Sequence, residues 1–342
     1  MQKSNLNPVP TGTDALLQEV ASLPSSETNR LRYQDFIMSM TDEPTPPDYL
    51  LELDGVGILP RGGITAITGE AKQGKTQYLA ALAAVLMSGR DFGNLKRRAA
   101  ARHILWVDTE QAQFNFQETI GRVYKQAGIP PRADSQKHGL TLLRLRPLSP
   151  VQRVEVIVDA VEALNPDVLI IDGLRDLIND FNNIDESNAA VGWLLEMLDK
   201  RPDLNIVTVL HTNTGTEKMR GHLGTELMNK CQDRFTCVKE NGVFKVKHIA
   251  RGREVLMPFV FCIGADGQLH TATVEQSKGV TDPEQAFAAA VPDDGAEFYD
   301  IVKEYKKLTG LNDRNARDAL KQRIKSGQLV KDNETGLFHR RK

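Results

Sequence analysis

Cysteine is scarce: Cys231, Cys237 and Cys262 are the only three in 342 residues. They form no Cys-x-x-Cys or Cys/His zinc spacing, and three thiols cannot build a disulfide framework. They read as buried apolar side chains in a reducing compartment. Long apolar runs are missing too. Nothing approaches the roughly 18 consecutive apolar residues that span a bilayer, and MQKSNLNPVPTGTD has no stretch able to serve as a signal peptide. The expectation is a cytoplasmic protein with no membrane partner. Net charge is small, with 43 Lys/Arg against 45 Asp/Glu for a formal −2, which excludes a polycation or an acidic solvating chain. That balance hides an asymmetry. Ile301–Lys342 holds 12 Lys/Arg against 5 Asp/Glu, a net +7, leaving −9 on the first 300 residues. A basic end on an acidic body expects a polyanionic partner for the end alone.

What is present is ordinary globular composition, 40% hydrophobic and 26% charged, at a length that fits two domains. Residues 1–50 read as a helical arm. Asp14 is placed to cap a helix carrying Leu16, Leu17, Val20 and Leu23, and a second amphipathic piece holds Leu31, Tyr33, Phe36 and Met40. From residue 51 to about 270, β-branched apolar runs (Ile64–Thr68, Ile104–Val107, Val168–Ile171, Ile206–Leu210) alternate with segments of helical spacing (Gln77–Met87, Phe114–Gln126, Val151–Leu164, Asn188–Leu198). Continuous apolar strands separated by helices predict an α/β fold around a mainly parallel sheet buried on both faces. Short strands follow around Phe235–Val238, Val243–Ile249 and Pro258–Ile263, with Asn241-Gly242 as a hairpin turn. Residues 271–295, rich in Ala, Pro and Asp, read as a linker to a compact tail at 296–342.

Gly69-Glu70-Ala71-Lys72-Gln73-Gly74-Lys75-Thr76 fits G-x-x-x-x-G-K-[ST], the phosphate-binding loop, and lies between a predicted strand and a predicted helix. Backbone N–H groups of such a loop cradle phosphate oxygens at a helix N-terminus. Lys75 is expected to reach the β and γ phosphates of ATP, and the Thr76 hydroxyl to bind Mg²⁺. The strand Val168–Ile171 ends in Asp172, a carboxylate suited to the same ion. One strand earlier, Trp106-Val107-Asp108-Thr109-Glu110 places Glu110 just past a strand tip, where it can accept a proton from an attacking water. Asp108 is read as part of the strand or of the polar network.

Taken together these segments resemble the RecA-like ATPases, and within them the hexameric replicative helicases, closest to the plasmid-encoded RepA type. The likeness covers about residues 50–265. It rests on Gly62–Gly69, the loop through Thr76, Asp108-Thr109-Glu110, Ile171-Asp172 and Val209-Leu210-His211-Thr212. It implies a P-loop NTPase core that assembles head-to-tail into a ring with ATP at each boundary. Position by position, it implies the loop cation and hydroxyl at Lys75 and Thr76, the catalytic carboxylate at Glu110 and a magnesium-associated Asp172. His211 becomes a γ-phosphate sensor, where a bare reading makes it a cap on a backbone carbonyl. Lys218-Met219-Arg220 resembles the segment that reaches a neighbour's ATP, and Arg251 and Arg253 compete for that role. The separate helical N-terminal domain of the chromosomal helicases has no counterpart in the fifty residues before the core.

The tail reads as a winged helix. Glu297–Leu308 is predicted helical, and a second helix from Asn312 or Asp313 to about Lys325 buries Ala316, Ala319, Leu320 and Ile324. Its other face presents Arg314, Asn315, Arg317, Lys321 and Arg323. Leu329-Val330 and Leu337-Phe338 flank a turn that suits the wing. Arg314, Arg317 and Lys321 are the expected DNA contacts; a protein-binding module with a solvated basic face is the alternative. No aromatic platform for single strands is evident. The function expected is a Mg-ATP-hydrolysing ring acting on DNA, a helicase or helicase-like protein in replication or mobilisation of a plasmid or mobile element. A DNA-binding regulatory ATPase and a filament-forming repair ATPase are the alternatives.

Overall fold

The computed structural model describes residues 46–101, 103–250, 256–273, 283–309 and 313–340, with the isolated positions Ile37, Ser39 and Thr41. The chain divides into Met1–Pro46 and Pro47–Lys342. The two helices expected before residue 41, and Arg251 and Arg253, lie outside the described residues.

The second unit opens on two antiparallel strands, β1 (Tyr49–Leu53) and β2 (Val56–Pro60), and β1 also pairs with β4 (Leu95–Arg97). Sequence patterning did not reveal this small sheet. The main sheet has nine strands: β3 (Gly63–Gly69), β5 (Ile104–Asp108), β6 (Leu140–Arg144), β7 (Val168–Asp172), β8 (Asn205–His211), β9 (Asp233–Glu240), β10 (Val243–Ala250), β11 (Phe259–Ile263) and β12 (Leu269–Thr271). Its spatial order is β12-β11-β10-β9-β3-β8-β7-β5-β6. The six strands from β9 to β6 are parallel and the β10–β12 side is antiparallel. Asn241 and Gly242 both adopt positive φ between β9 and β10, as a tight hairpin turn requires.

Full burial of β3, β5 and β7 explains their unbroken apolar texture. On one face lie α1 (Lys75–Ser88) and α2 (Gln113–Ala127); on the other, α3 (Pro150–Leu164), α4 (Ile184–Lys200) and α5 (Gly221–Lys230). Helix α1 is buried almost all round from Tyr78 to Leu86, so its Ala-rich sequence suits close packing, not amphipathy. Ser149 and Gln152 form a reciprocal capping box on α3, and Asn183 caps α4. With the phosphate-loop strand β3 flanked by β8 and β9, this is a RecA-like P-loop NTPase core.

The tail differs from its expected boundary. Pro283–Ala290, inside the segment read as linker, is helix α6, and its Ala286, Phe287 and Ala290 join one core with Ile301, Tyr305, Ala316 and Leu320. Helices α7 (Phe298–Thr309) and α8 (Asp313–Lys325) and the hairpin β13 (Leu329–Lys331) with β14 (Phe338–Arg340) complete it. Ile324, expected inside, is exposed. Arg323, expected on the open face, is instead packed over the Phe287 ring and paired with Glu284.

Candidate nucleotide site

Parallel strands ending side by side bring the motif residues together. In register, Gly69 of β3 lies opposite His211 of β8, and Asp108 of β5 opposite Asp172 of β7. The loop Gly69–Thr76 leaves β3 and enters α1 through two glycines in left-handed conformations. A Cβ on Gly69 would stand 2.4 Å from the Cys237 carbonyl oxygen, and one on Gly74 2.2 Å from the Phe244 ring. Both positions therefore need glycine for space as well as for φ. The loop is also held from the β9–β10 hairpin, where the Lys239 N–H donates to Gln73 Oε1.

Lys75 is nearly buried, and its Nζ donates to the carbonyls of Gly69 (3.0 Å) and Glu70 (2.7 Å). Burial lowers its pKa, and Glu110 and Asp172 act against that fall. His211 Nδ1 lies 3.2 Å from this Nζ, while its Nε2 lies 3.6 Å from Glu110 Oε1. His211, with help from Lys75, holds the Glu110 carboxyl below its ordinary pKa, so Glu110 is ionised and able to accept a proton. The Thr76 hydroxyl donates to Asp172 Oδ2 at 2.9 Å. Burial, with Asp108 adding to it, pushes the Asp172 carboxyl up to about 8. A buried carboxylate among carboxylates is electrostatically short of a cation, and with the Thr76 hydroxyl it forms a hard-oxygen pair that fits Mg²⁺. Among the described residues, no cluster of three or more His, Cys, Asp or Glu could hold a metal alone, so phosphate oxygens and water would have to complete the ion's coordination.

Asp108 is spent inside the fold, accepting from the Gln111 N–H at 2.7 Å and from its side-chain amide. Thr109 bonds across to the turn after β7, donating to Asp176 Oδ2 at 2.9 Å. These two contacts set the strand tip that carries Glu110. Gln111 carries no motif signal of its own.

Lys218 and Arg220 are exposed on either side of the buried Met219. The Arg220 N–H donates to the His211 carbonyl at 3.0 Å, so the two positions are joined through the backbone. Both cations line an open cleft of about 400 Å³ with Phe181, Asn182, Asn213 and His222. The Arg220 guanidinium lies 4.9 Å from the Phe181 ring centroid and Arg175 5.2 Å from it. Phe181 sits in a loop with no periodicity, and sequence reading missed it.

A family model described as an AAA domain (AAA_25) matches residues 27–217, more than half of the chain. The chain belongs to this AAA-domain family. The matched region of this family member contains the phosphate loop, Glu110, Asp172 and His211, and stops one residue before Lys218. Family and fold together make it a RecA-like P-loop ATPase. Among solved structures it is similar to the KaiC-like protein PH0186 from Pyrococcus horikoshii OT3, at 14% identity and a TM-score of 0.45, over 67% of this chain and 100% of that one. No curated protein matches it. Among the described residues, no helix is long and apolar enough to cross a membrane.

In the tail, Arg314 and Lys321 are exposed on α8. Arg317 is not free in the same way: its Nε donates to Asp313 Oδ2 at 2.7 Å.

Proposed function

We propose that the chain hydrolyses ATP and uses the energy to act on DNA as a ring, as a helicase of the RepA type serving a plasmid or other mobile element. The observation that carries the ATPase part is His211, seated between Lys75 and Glu110, with the residue after Lys75, Thr76, bonded to Asp172. Backbone N–H groups of Gly69–Thr76 would hold the β and γ phosphates, and Lys75 would exchange its two carbonyl partners for phosphate oxygens. Glu110 takes the proton from the attacking water, and His211 ties that carboxylate to the Lys75 ammonium. Thr76 and Asp172 would hold magnesium, which would supply neutralisation of phosphate charge.

Two further observations support the DNA-acting ring. Lys218 and Arg220 line a cleft that includes no residue of loop 69–76, which suits cations directed at a neighbouring copy's nucleotide. The helix–helix–hairpin tail suits a winged helix, with Arg314 and Lys321 facing outward. In this reading the boundary cation is Arg220, with Lys218 beside it.

A forked-duplex unwinding assay, with phosphate release followed in parallel and Lys75→Ala as control, tests the reading. ATP-dependent unwinding lost in the control supports it. DNA-stimulated turnover without unwinding would move the protein to a regulatory ATPase. Extended filaments of the ATP-bound form in electron micrographs would move it to a strand-exchange type.

A further inference from the structure

A carboxylate in the phosphate loop is electrostatically out of place, since the loop's ligand is a polyanion. Glu70 occupies that position, and its side chain is turned to another task. Glu70 Oε1 accepts the backbone N–H of Gly215, 145 residues away, at 2.6 Å. Gly215 lies at the tip of the excursion 212–220. That excursion is closed at its base by the Thr212–Met219 bridge and by Asn213 N–H donating to the Lys218 carbonyl at 2.9 Å. One further side-chain tie runs from Glu217 to Lys247 at 3.1 Å. At the root, the Thr212 N–H donates to the Gly69 carbonyl at 3.3 Å. The phosphate loop therefore holds the excursion at its root through Gly69 and at its tip through Glu70. Lys218 and Arg220 lie on the returning limb between those points.

We propose that Glu70 is a positioning residue: its carboxylate pins the tip of the excursion to the phosphate loop and so sets where Lys218 and Arg220 are presented. This rests on the reading above that these cations serve turnover across a subunit boundary. A charge-assisted bond from a carboxylate to a backbone N–H is among the stronger ones. Alternative acceptors for Gly215 in an exposed turn would be water alone, so the bond biases the excursion toward one arrangement.

The role depends on an acceptor at the reach of a glutamate side chain. Glu70→Ala removes it, Glu70→Asp keeps the charge but withdraws it by one methylene, and Glu70→Gln keeps reach and acceptor without charge. Each full-length variant is assayed in two ways. Tryptic cleavage after Lys218 and Arg220, followed by fragment mass, reads the excursion itself and needs no activity. Steady-state ATP turnover reads its consequence. Glu70→Ala and Glu70→Asp should both speed cleavage severalfold and lower kcat by about tenfold, the size of one charge-assisted hydrogen bond. KM should not rise in Glu70→Ala, because removing a negative charge cannot weaken phosphate binding. Glu70→Gln, which keeps a neutral acceptor at the same reach, should recover part of both losses. Cleavage unchanged in both Glu70→Ala and Glu70→Asp overturns the pin. Faster cleavage with undiminished kcat, alongside an inactive Arg220→Ala, overturns the coupling. If instead Arg220→Ala turns over like wild type while Glu70→Ala shows faster cleavage and a lower kcat, the pin stands and the boundary role of Arg220 is what fails.

Discussion

Lys75 Nζ and His211 Nδ1 lie 3.2 Å apart because Gly69 and His211 are register partners in adjacent parallel strands. A shift of one residue in that pairing would send the imidazole to the opposite face of the sheet. The pairing leaves the second ring nitrogen facing Glu110, so one side chain touches both the loop cation and the proposed base.

Lys75→Ala should lower ATP turnover at least a hundredfold, on the order of 3 kcal/mol, by removing the main positive partner of the γ-phosphate. His211→Ala should be milder in nucleotide binding than in turnover, because Glu110 loses its tie while the loop keeps its backbone cradle. Fluorescent-nucleotide titration beside phosphate release separates the two. Equal losses in both assays would reduce His211 to a structural cap.

Asp172 gives a pH signature in protein freed of metal and nucleotide with EDTA. Its carboxyl titrates near 8 in the fold and near 4 in an unfolded chain. Between those values the folded state binds the extra proton, so this group's contribution to stability falls as pH rises from about 4 to 8. Asp172→Asn removes the dependence. The Tm advantage of Asp172→Asn over wild type should be smallest near pH 5 and grow to pH 9, while turnover is lost. A constant offset across that range would contradict this dependence.

Arg220→Ala should bind nucleotide and lose turnover. Mixed with Glu110→Gln protein it should regain some activity, since mixed rings contain boundaries where an intact Arg220 faces an intact Glu110. The control is subunit exchange shown by a labelled chain. No recovery at any ratio would remove the trans assignment.

For the tail, Arg314→Ala with Lys321→Ala should weaken duplex binding and flatten its salt dependence, each lost phosphate contact changing the log–log slope by roughly 0.9. Arg317→Ala should matter less, because its guanidinium is already engaged by Asp313. Truncation should be made after Thr273, not after Gly295, since α6 belongs to the tail's core. Residues 274–342 carry 13 Lys/Arg against 12 Asp/Glu, so a salt-slope change from that truncation would come from the placement of charge on α8, not from net charge. Unchanged slope in the double variant would make the module a protein-binding one.

Local chemistry makes the candidate nucleotide site legible in the sequence. A phosphate loop is written in eight contiguous residues, and Asp172 and Glu110 each close an apolar run that must be a strand. His211 entered only through the family resemblance, and parallel order put its strand tip on the same edge as the other three. The small β1-β2-β4 sheet stayed hidden because its strands are short and one arrives forty residues later. Helix α6 was misread because eight Ala-rich residues among Pro and Asp look like linker until Phe287 is seen under Arg323.

The sequence by itself determined the class of chemistry, since each loop, strand tip and helix start draws on residues a few positions apart. Tertiary structure alone decided which side chains answer one another over long separations. Glu70 meets Gly215, Gln73 meets Lys239, and Phe181 lies beside both Arg175 and Arg220. No periodicity encodes such pairs. They exist because β9, β3, β8 and β7 run side by side and parallel, which brings the loops after β3, β7 and β8 and the β9–β10 hairpin to the same edge.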